Sequence, residues 1–437
     1  MSGASPTRNA GPLSQTPPPV LGGDARLPAD LLARAHGAAL VLADRGVTAG
    51  SRIAVGQGDV LAWLLGADLL GAATVVLEAK WTARDRAAVL ADAHPDTTVA
   101  GDPPPTTTSV TPHSGERTPF YLPTTSGSSG RPKVLVRSRA SWLRSFEALG
   151  PVPGPVLIPG PLSASLFSFG ALHALWCGAE PRIRPRLHVD DARAAASLHV
   201  VPAMLAELLG ELERAPGPCA LRTVVCGGAH VGDELRARFA RLLPDVELVE
   251  YYGSAEHSLI AVRRGGGGLR AVPGVELDVR GGVLWVRSEL AFDGHLRAGV
   301  LERAADWTSV GDHVELSTSG VLTVHGRDSA MISSGGRLVA AEEVEAVLRS
   351  VPGVGDVLVI GTPHPRFGAL VTAVVESDAP PALRELRAAA RAALDPGKRP
   401  RRWLLTKALP RTASGKPARA TVARQLAEGI LLAEPLR

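Results

Sequence analysis

Cysteine is scarce in this sequence of 437 residues, which contains three: Cys177, Cys219 and Cys226. They lie far apart, none belongs to a CxxC pair, and no cluster of histidines accompanies them. This distribution argues against a disulfide framework and against a structural zinc site. It is typical of a protein kept in a reducing compartment, and we expect the cytoplasm.

Long apolar runs are also missing. The most apolar window, residues 60–77, carries Asp68 near its middle and two glycines, which predicts a buried helix followed by a core strand. We therefore expect no membrane span. Residues 1–24 are rich in Ser, Pro, Gly and Thr and have no apolar centre, so we expect a flexible N-terminal segment and no signal peptide.

Neither sign of charge dominates: 47 Lys and Arg against 43 Asp and Glu give a net charge of +4, without a dense basic block. Nucleic acid is therefore not an expected partner. With 45% hydrophobic and 21% charged residues, the composition is that of a globular chain. The length suits about two or three domains.

Strand-like and helix-like segments alternate through the N-terminal half. Strands are predicted at 52–56, 156–160, 198–202, 221–228 and 246–253, and helices at 31–45, 203–214 and 232–243. This alternation predicts parallel sheets covered by helices, with ligands bound beyond the carboxyl ends of the strands.

The pattern changes after about residue 260, where short alternating strands predict an antiparallel, barrel-like part and four glycines at 265–268 predict a hairpin tip. Beyond Gly326, a helix is predicted at 341–349, a strand at 355–361 and a helix at 381–394. These elements are sufficient for a small separate domain.

The strongest local signal is TTSGSSGRPK at 124–133, which lies between the apolar runs PFYLP and VLV. Small hydroxyl residues and glycines let backbone N–H groups approach phosphate oxygens, and a lysine neutralises their charge. The spacing is not that of the common P-loop, because two residues separate Gly130 from Lys133. It is also one residue short of a GxSxG nucleophile elbow. A flexible Ser/Gly linker is the alternative interpretation.

This loop resembles the phosphate-binding motif of the adenylate-forming superfamily, which includes acyl-CoA synthetases, nonribosomal-peptide adenylation domains and luciferases. Five later segments resemble motifs of the same superfamily in the same order: GGA at 227–229, YGSAE at 252–256, WTSVGD at 307–312, a hinge segment from 326, and PRTASGK at 410–416. Six ordered matches, with weaker similarity over 38–100, identify the chain as a member.

The resemblance implies roles for individual positions. The residues expected to bind the ATP phosphates are Thr124, Thr125, Ser126, Gly127, Ser128, Ser129 and Gly130. Those expected to contact adenine or ribose are Gly228, Ala229, Tyr252, Gly253, Asp312 and Arg327. The acyl pocket would include Ala164, Gly227 and Tyr251, the hinge Asp328 and Ser329, and the thiol tunnel Gly335 and Gly336.

Three charged residues are expected to be catalytic: Lys133, Glu256 and Lys416. Attack of a carboxylate on the α-phosphate brings two anions together, so the chemistry needs positioned cations and a metal. Glu256 would bind Mg²⁺, which prefers carboxylate and phosphate oxygens, and Lys416 would bridge the α-phosphate and the acid. Each residue alone would be read as an ordinary surface or capping residue, and only the ordered set favours catalysis.

The resemblance implies an α/β fold with a large N-terminal domain of helix-covered sheets and a barrel-like part over 25–325. A hinge at 326–329 would join it to a small, mobile α+β domain at 330–437. On helix 341–349, Val344, Val347 and Leu348 predict a core stripe, and Glu342, Glu343 and Glu345 are interpreted as its solvated face.

Four positions depart from the superfamily pattern. Ala255 stands where Thr or Ser usually precedes the magnesium-binding Glu, and Ser333 where Lys often follows Ile. Ser329 follows Asp328 in a hinge that normally reads Gly-Arg-x-Asp, and Ala164 replaces a His or aromatic residue that commonly gates the acyl pocket. These departures leave the acid and the second half-reaction open.

The resemblance thus implies an ATP- and Mg²⁺-dependent acid–thiol ligase. It would form an acyl-adenylate from a small carboxylic acid, release pyrophosphate, and transfer the acyl group to coenzyme A or to the phosphopantetheine of a carrier protein. The alternatives are a non-thiol acceptor such as an amine, or a degenerate homologue that only binds nucleotide. A monomer or a homodimer is expected.

Overall fold

The computed structural model describes residues 27–79, 81–126, 132–327, 330–334, 337–364, 367–412 and 415–436. Its helices are α1 (Ala29–Asp44), α2 (Val60–Leu69), α3 (Ala83–Ala93), α4 (Arg139–Leu149), α5 (Ser165–Trp176), α6 (Val189–Arg193), α7 (Pro202–Arg214), α8 (Asp233–Leu242), α9 (Ala341–Arg349), α10 (Leu383–Ala393) and α11 (Arg419–Ala427).

The strands of the N-terminal half are β1 (Arg52–Gly58), β2 (Ala73–Val76), β3 (Thr97–Gly101), β4 (Thr124–Ser126), β5 (Pro132–Val136), β6 (Val156–Ile158), β7 (Pro181–Ile183), β8 (Ser197–Val200), β9 (Thr223–Gly227) and β10 (Glu247–Ser254). They are followed by β11 (Ser258–Arg264), β12 (Leu269–Ala271), β13 (Val275–Arg280), β14 (Val283–Ser288), β15 (Gly294–Arg297), β16 (Val300–Arg303), β17 (Asp312–Leu316) and β18 (Val321–Arg327). The last strands are β19 (Met331–Ser334), β20 (Arg337–Ala340), β21 (Asp356–His364), β22 (Gly368–Glu376), β23 (Arg402–Thr406) and β24 (Glu434–Pro435).

The apolar window at 60–77 forms helix α2 followed by strand β2, as the sequence predicts. Strand β1 lies between β2 and β3 in a parallel three-stranded sheet. Asp68, the charged residue of the window, is buried and pairs with the buried Arg139 of α4, which explains how an acidic residue is accommodated there. Within the described ranges, no helix has the length and apolar character needed to cross a bilayer.

The central element is an 11-stranded sheet with the order β13-β14-β17-β18-β12-β11-β10-β9-β8-β6-β7. The strands from β7 to β10 run parallel, which confirms the predicted α/β alternation. The predicted antiparallel strands are confirmed too: β11, β12, β13, β14, β17 and β18 join this same sheet, whereas β15 and β16 belong to a second sheet. Strand β10 makes this junction, because it pairs with the parallel β9 on one side and with the antiparallel β11 on the other.

A four-stranded sheet, β16-β15-β5-β4, lies beside the large sheet and carries the loop that begins at Thr124. The predicted hairpin tip at 265–268 is confirmed by the antiparallel pairing of β11 with β12.

The C-terminal sheet has six strands, in the order β20-β19-β22-β23-β24 with β21 paired to β22. Helices α9 and α10 pack on one face through Val344, Leu348 and Leu386, whereas α11 packs on the other through Val422. The apolar stripe predicted for 341–349 is confirmed. The interpretation of Glu345 as a solvated residue is wrong: its side chain is buried, because its carboxylate accepts a hydrogen bond from the Val359 amide.

Candidate active site

Strands β4 and β5 form an antiparallel hairpin that presents the predicted phosphate loop. The register pairs Thr125 with Lys133 and Thr124 with Val134. Directly paired residues point to the same face, so the Thr125 hydroxyl and the Lys133 ammonium emerge together beside the loop. Four predicted phosphate ligands lie outside the described residues: Gly127, Ser128, Ser129 and Gly130. Of Ser126, only the backbone is described.

The neighbouring strand β15 brings a histidine to the same face. It pairs His295 with Leu135, two residues from Lys133 on β5. Burial and the Lys133 ammonium lower the pKa of His295, while the Glu256 carboxylate acts in the opposite direction. Both charged residues therefore lie close to this ring, Glu256 from the turn between β10 and β11. Sequence analysis missed His295, because a single histidine in a short strand carries no motif signal.

The predicted nucleotide-binding residues gather where β9 and β10 end. Gly228 follows β9 with φ = +85°, a conformation that a side chain would strain. The Tyr252 hydroxyl donates a hydrogen bond to the Asp312 carboxylate at the start of β17. Because Asp312 is buried, this bond fixes the direction of the carboxylate expected to receive ribose. At Gly253, a Cβ atom would lie 1.9 Å from the Ser258 carbonyl oxygen, so only glycine fits.

His257 joins two of the predicted motifs. Its Nε2 lies 2.8 Å from the Thr308 hydroxyl, and its Nδ1 lies 3.1 Å from the Ser254 hydroxyl. Ser254 also accepts a hydrogen bond from the His257 amide. The turn that carries Glu256 is thereby tied to the segment that carries Asp312. Neither contact was predicted, because His257 follows the YGSAE motif and has no assigned role in it.

Lys416 lies against the same strand ends. A Cβ atom added to Gly228 would be 2.9 Å from the Lys416 Nζ and 3.6 Å from Val201. Burial is the main cause of the raised pKa of the neighbouring Cys226 thiol, and the Lys416 ammonium partly opposes it. The GGA turn and the C-terminal PRTASGK loop, which are far apart in sequence, therefore converge.

The residues around Gly228 and Lys416 line one cleft of about 2180 Å³, with walls from both the large sheet and the C-terminal sheet. Thr125, Lys133 and Glu256 are not among the described residues of its wall. The predicted site residues on its wall are Gly228, Ala229, Tyr251, Tyr252, Gly253, Asp312 and Lys416.

Of the other acyl-pocket residues, Gly227 lies beneath the Tyr251 ring, since a Cβ atom there would be 2.2 Å from it. Burial raises the pKa of Tyr251. Ala164 is buried at the N-cap of α5 and is not part of this wall.

The remaining predicted residues fall at or beyond the end of β18. The Arg327 backbone pairs with Asp312, which places this end of the strand beside the expected ribose ligand. The hinge residues Asp328 and Ser329 and the thiol-tunnel residues Gly335 and Gly336 lie outside the described residues.

The donor set suits a metal that arrives with its substrate. Across the described ranges, no three His, Cys, Asp or Glu side chains cluster as metal ligands would. Glu256 is a single carboxylate that, like Lys133 of the phosphate hairpin, acts electrostatically on His295. Mg²⁺ usually binds one or two carboxylates together with substrate phosphates and water, so this arrangement fits Mg²⁺–ATP. Cys177, Cys219 and Cys226 are free thiols in this structure.

Comparison with known proteins identifies the family of this chain. The AMP-binding enzyme family matches residues 99–281, and the AMP-binding enzyme C-terminal domain matches residues 343–416. The chain is 29% identical over 341 residues to YhfT of Bacillus subtilis (strain 168), described as an uncharacterized acyl-CoA ligase, covering 71% of this chain and 70% of that protein. The chain belongs to the AMP-binding, adenylate-forming superfamily.

Two solved structures share the fold. ATP-bound MatB from Rhodopseudomonas palustris is 22% identical, with a TM-score of 0.79 over 92% of this chain and 94% of that one. The apo form of MatB gives a TM-score of 0.68. The amide bond synthetase McbA from Marinactinospora thermotolerans is 23% identical, with a TM-score of 0.77 over 91% of this chain and 94% of that one.

Proposed function

We propose that this protein activates a carboxylic acid as its acyl-adenylate and then transfers the acyl group to a thiol, as an AMP-forming acid–thiol ligase. The observation that supports this most directly is the Lys416 ammonium beside Gly228. Gly228 belongs to the expected nucleotide turn, and the adjacent Gly227 and Tyr251 belong to the expected acyl pocket. The ammonium thus lies where an acid and an α-phosphate would meet.

In the first step, an acid oxygen bonds to the α-phosphorus while the bond to the bridging oxygen of the β-phosphate breaks, and pyrophosphate leaves. Lys416 offsets the repulsion between the two anions and the charge that develops on the α-phosphate. Lys133 and Thr125 hold the departing phosphates. Asp312, oriented by Tyr252, accepts hydrogen bonds from the ribose hydroxyls. Glu256 would hold Mg²⁺, which would supply positive charge to neutralise the phosphates.

In the second step, a thiol attacks the acyl carbon of the mixed anhydride, the acyl–oxygen bond breaks, and AMP leaves. Lys416 must withdraw to let the thiol approach, and we assign this movement to the hinge at Asp328 and Ser329. Gly335 and Gly336 are the proposed thiol tunnel. Coenzyme A and the phosphopantetheine of a carrier protein present the same thiol. The name of the relative YhfT, an acyl-CoA ligase, favours coenzyme A.

An amine is the second candidate acceptor. McbA, named an amide bond synthetase, shares the fold of this chain, so the architecture is also compatible with an amine acceptor. The departures at Ala255 and Ser333 keep this candidate open. A homologue that only binds nucleotide is less well supported, because both Lys133 and Lys416 are present. A monomer or homodimer remains our proposal for the assembly.

Acid-dependent ATP–pyrophosphate exchange tests the first step. Acetate, malonate, benzoate and decanoate would be supplied in turn with Mg²⁺–ATP. We expect exchange with at least one acid, and a loss of about 100-fold or more in Lys416→Ala, because a charge that stabilises the transition state is removed. Lys407→Ala is the matched control, since this lysine directly follows β23 of the C-terminal sheet and is exposed. Absence of acid-dependent exchange, or equal rates for Lys416→Ala and wild type, would contradict the proposal.

Product analysis distinguishes the acceptors. The acid that supports exchange would be incubated with ATP and either coenzyme A, pantetheine or a primary amine. A thioester formed faster than any amide supports the ligase, whereas an amide formed at the higher rate supports the second candidate.

A further inference from the structure

Three carboxylates and three arginines alternate beneath the loop that carries Lys416. In order along the network they are Glu376, Arg411, Asp356, Arg349, Glu345 and Arg419. The N–O distances along it are 2.7, 3.0, 2.9, 3.5 and 2.7 Å. Glu345 and Asp356 are only 4% and 8% exposed in their side chains, so these charges are largely withdrawn from water. Burying charges is costly unless they are paired, and each of these two carboxylates contacts two arginines.

Arg411 connects this network to the lysine loop. Its guanidinium donates to Asp356, at 3.0 Å, to Glu376, at 2.7 Å, and to the Gly415 carbonyl, at 3.1 Å. Gly415 immediately precedes Lys416. One arginine therefore holds the loop backbone against two carboxylates of strands β21 and β22.

Backbone contacts close the loop around the same point. The Thr412 amide donates to the Lys416 carbonyl at 2.7 Å, and the Ala418 amide donates to the Pro410 carbonyl at 2.7 Å. Arg411 also forms an isolated bridge with Pro417. These backbone contacts set the position of the Lys416 backbone, and the Arg411 side chain adds its hydrogen bond to Gly415.

We propose that Arg411 is a positioning residue for adenylation: it holds the loop so that the Lys416 ammonium is directed at Gly228. This inference rests on the proposed function, because it assigns Arg411 a role only through Lys416. A lysine side chain is a flexible stem with a point charge, so its usefulness depends on where its backbone is fixed. A displacement of about 1 Å can cost about 100-fold in rate.

The planar guanidinium is essential to this role. It reaches three acceptors in one plane, which an ammonium cannot do with the same geometry. Arg411→Lys should therefore retain part of the adenylation activity, and Arg411→Gln should retain less. We expect adenylation, measured as acid-dependent pyrophosphate exchange, to fall about 10- to 100-fold in Arg411→Gln, through kcat, with the KM for ATP nearly unchanged.

The second half-reaction separates positioning from general damage. Thioester formation from the pre-formed adenylate, made with the acid that wild type exchanges fastest, does not use Lys416. We expect it to remain within about twofold of wild type in Arg411→Gln. In the Lys416→Ala background, Arg411→Gln should cause no further loss of exchange, because the two residues act as a unit.

Arg349→Gln is the matched control, because Arg349 contacts the same Asp356 at 2.9 Å and has no contact with the Gly415 carbonyl among the described hydrogen bonds. It should keep adenylation within about twofold. Equal losses in Arg349→Gln and Arg411→Gln, or parallel losses in both half-reactions, would overturn the positioning role. A wild type without acid-dependent exchange would instead overturn the proposed function, whereas an active wild type with an unaffected Arg411→Gln would overturn this inference alone.

Discussion

At the scale of single residues, the site depends on contacts between motifs that are separate in sequence. Tyr252 donates to Asp312, and His257 joins Ser254 to Thr308. The resemblance to a family suggested a role for Tyr252 and for Asp312, yet it did not show that they touch. Such contacts follow from the registers of β10, β11 and β17, which sequence patterns do not specify. His295 was missed for the same reason.

Close packing of Tyr251 on Gly227 gives a prediction at this scale. Gly227→Ala should destabilise the protein by about 1–3 kcal/mol, because its Cβ atom would lie 2.2 Å from the Tyr251 ring in a packed interior. Urea unfolding measures the change. In a Tyr251→Ala background, Gly227→Ala should lower the unfolding free energy by less than it does in the wild type.

Gly217→Ala is the control for this substitution. A Cβ atom there would meet only the Arg193 side chain, at 3.6 Å, which is ordinary contact. Its stability should change by less than about 0.5 kcal/mol. Similar unfolding curves for the two alanine variants would show that Tyr251 does not occupy this position.

At the scale of elements, hydrophobic periodicity predicted most of what the structure contains. Helices α7, α8 and α9 and strands β8, β9 and β10 lie within a few residues of their predicted positions. The antiparallel strands were also predicted, but not their union with the parallel strands, because periodicity identifies strands without showing which strands pair. The misassignment of Glu345 has another cause. A buried carboxylate paired with an arginine from another helix looks, in sequence, like any exposed glutamate.

Two glutamates of α9 provide a matched test. Glu345→Ala should cost about 2–4 kcal/mol of unfolding free energy, because it leaves the Val359 amide and the Arg419 guanidinium without this acceptor. Glu343→Ala on the same helix removes an exposed ion pair with Lys398 and should cost less than about 1 kcal/mol. Equal costs in thermal or urea unfolding would contradict the burial of Glu345.

At the scale of the whole molecule, the cleft joins two sheets that could not be placed relative to each other from sequence. The motifs near Gly228 and Lys416 suggested that the two segments meet, and the structure shows them in contact range.

Stability of the whole chain should depend on pH through two buried histidines. The rings of His173 and His199 have centroids 5.8 Å apart inside the largest core cluster. Burial lowers the pKa of His173 to about 4, and that of His199 well below its usual value, with the neighbouring His173 adding to the effect. As the pH falls below about 6.5, the unfolded chain takes up protons that the folded chain does not. The unfolding free energy should then decrease by about 1.4 kcal/mol per pH unit for each histidine, and it should be constant, with respect to these groups, at higher pH.

Urea unfolding at about pH 7.5 and about pH 5.5 measures this slope. His199→Leu should flatten it, because one proton-binding difference is removed. His113→Gln, at an exposed position, should leave the slope of wild type unchanged. An unaltered slope in His199→Leu would show that this histidine does not contribute.

The loop at Lys416 also affects the access of water to the acyl-adenylate. An acyl-phosphate anhydride is readily hydrolysed, so any solvent reaching it would waste the ATP consumed in making it. Thr412, Gly415 and Lys416 form part of the cleft wall, and the ammonium of Lys416 reaches its floor at Gly228. On the proposed function, Lys416 would therefore also shield the acyl-adenylate from water. We expect little hydrolysis to free acid and AMP until Lys416 moves away from Gly228. Nucleotide turnover would then be coupled to the arrival of an acceptor.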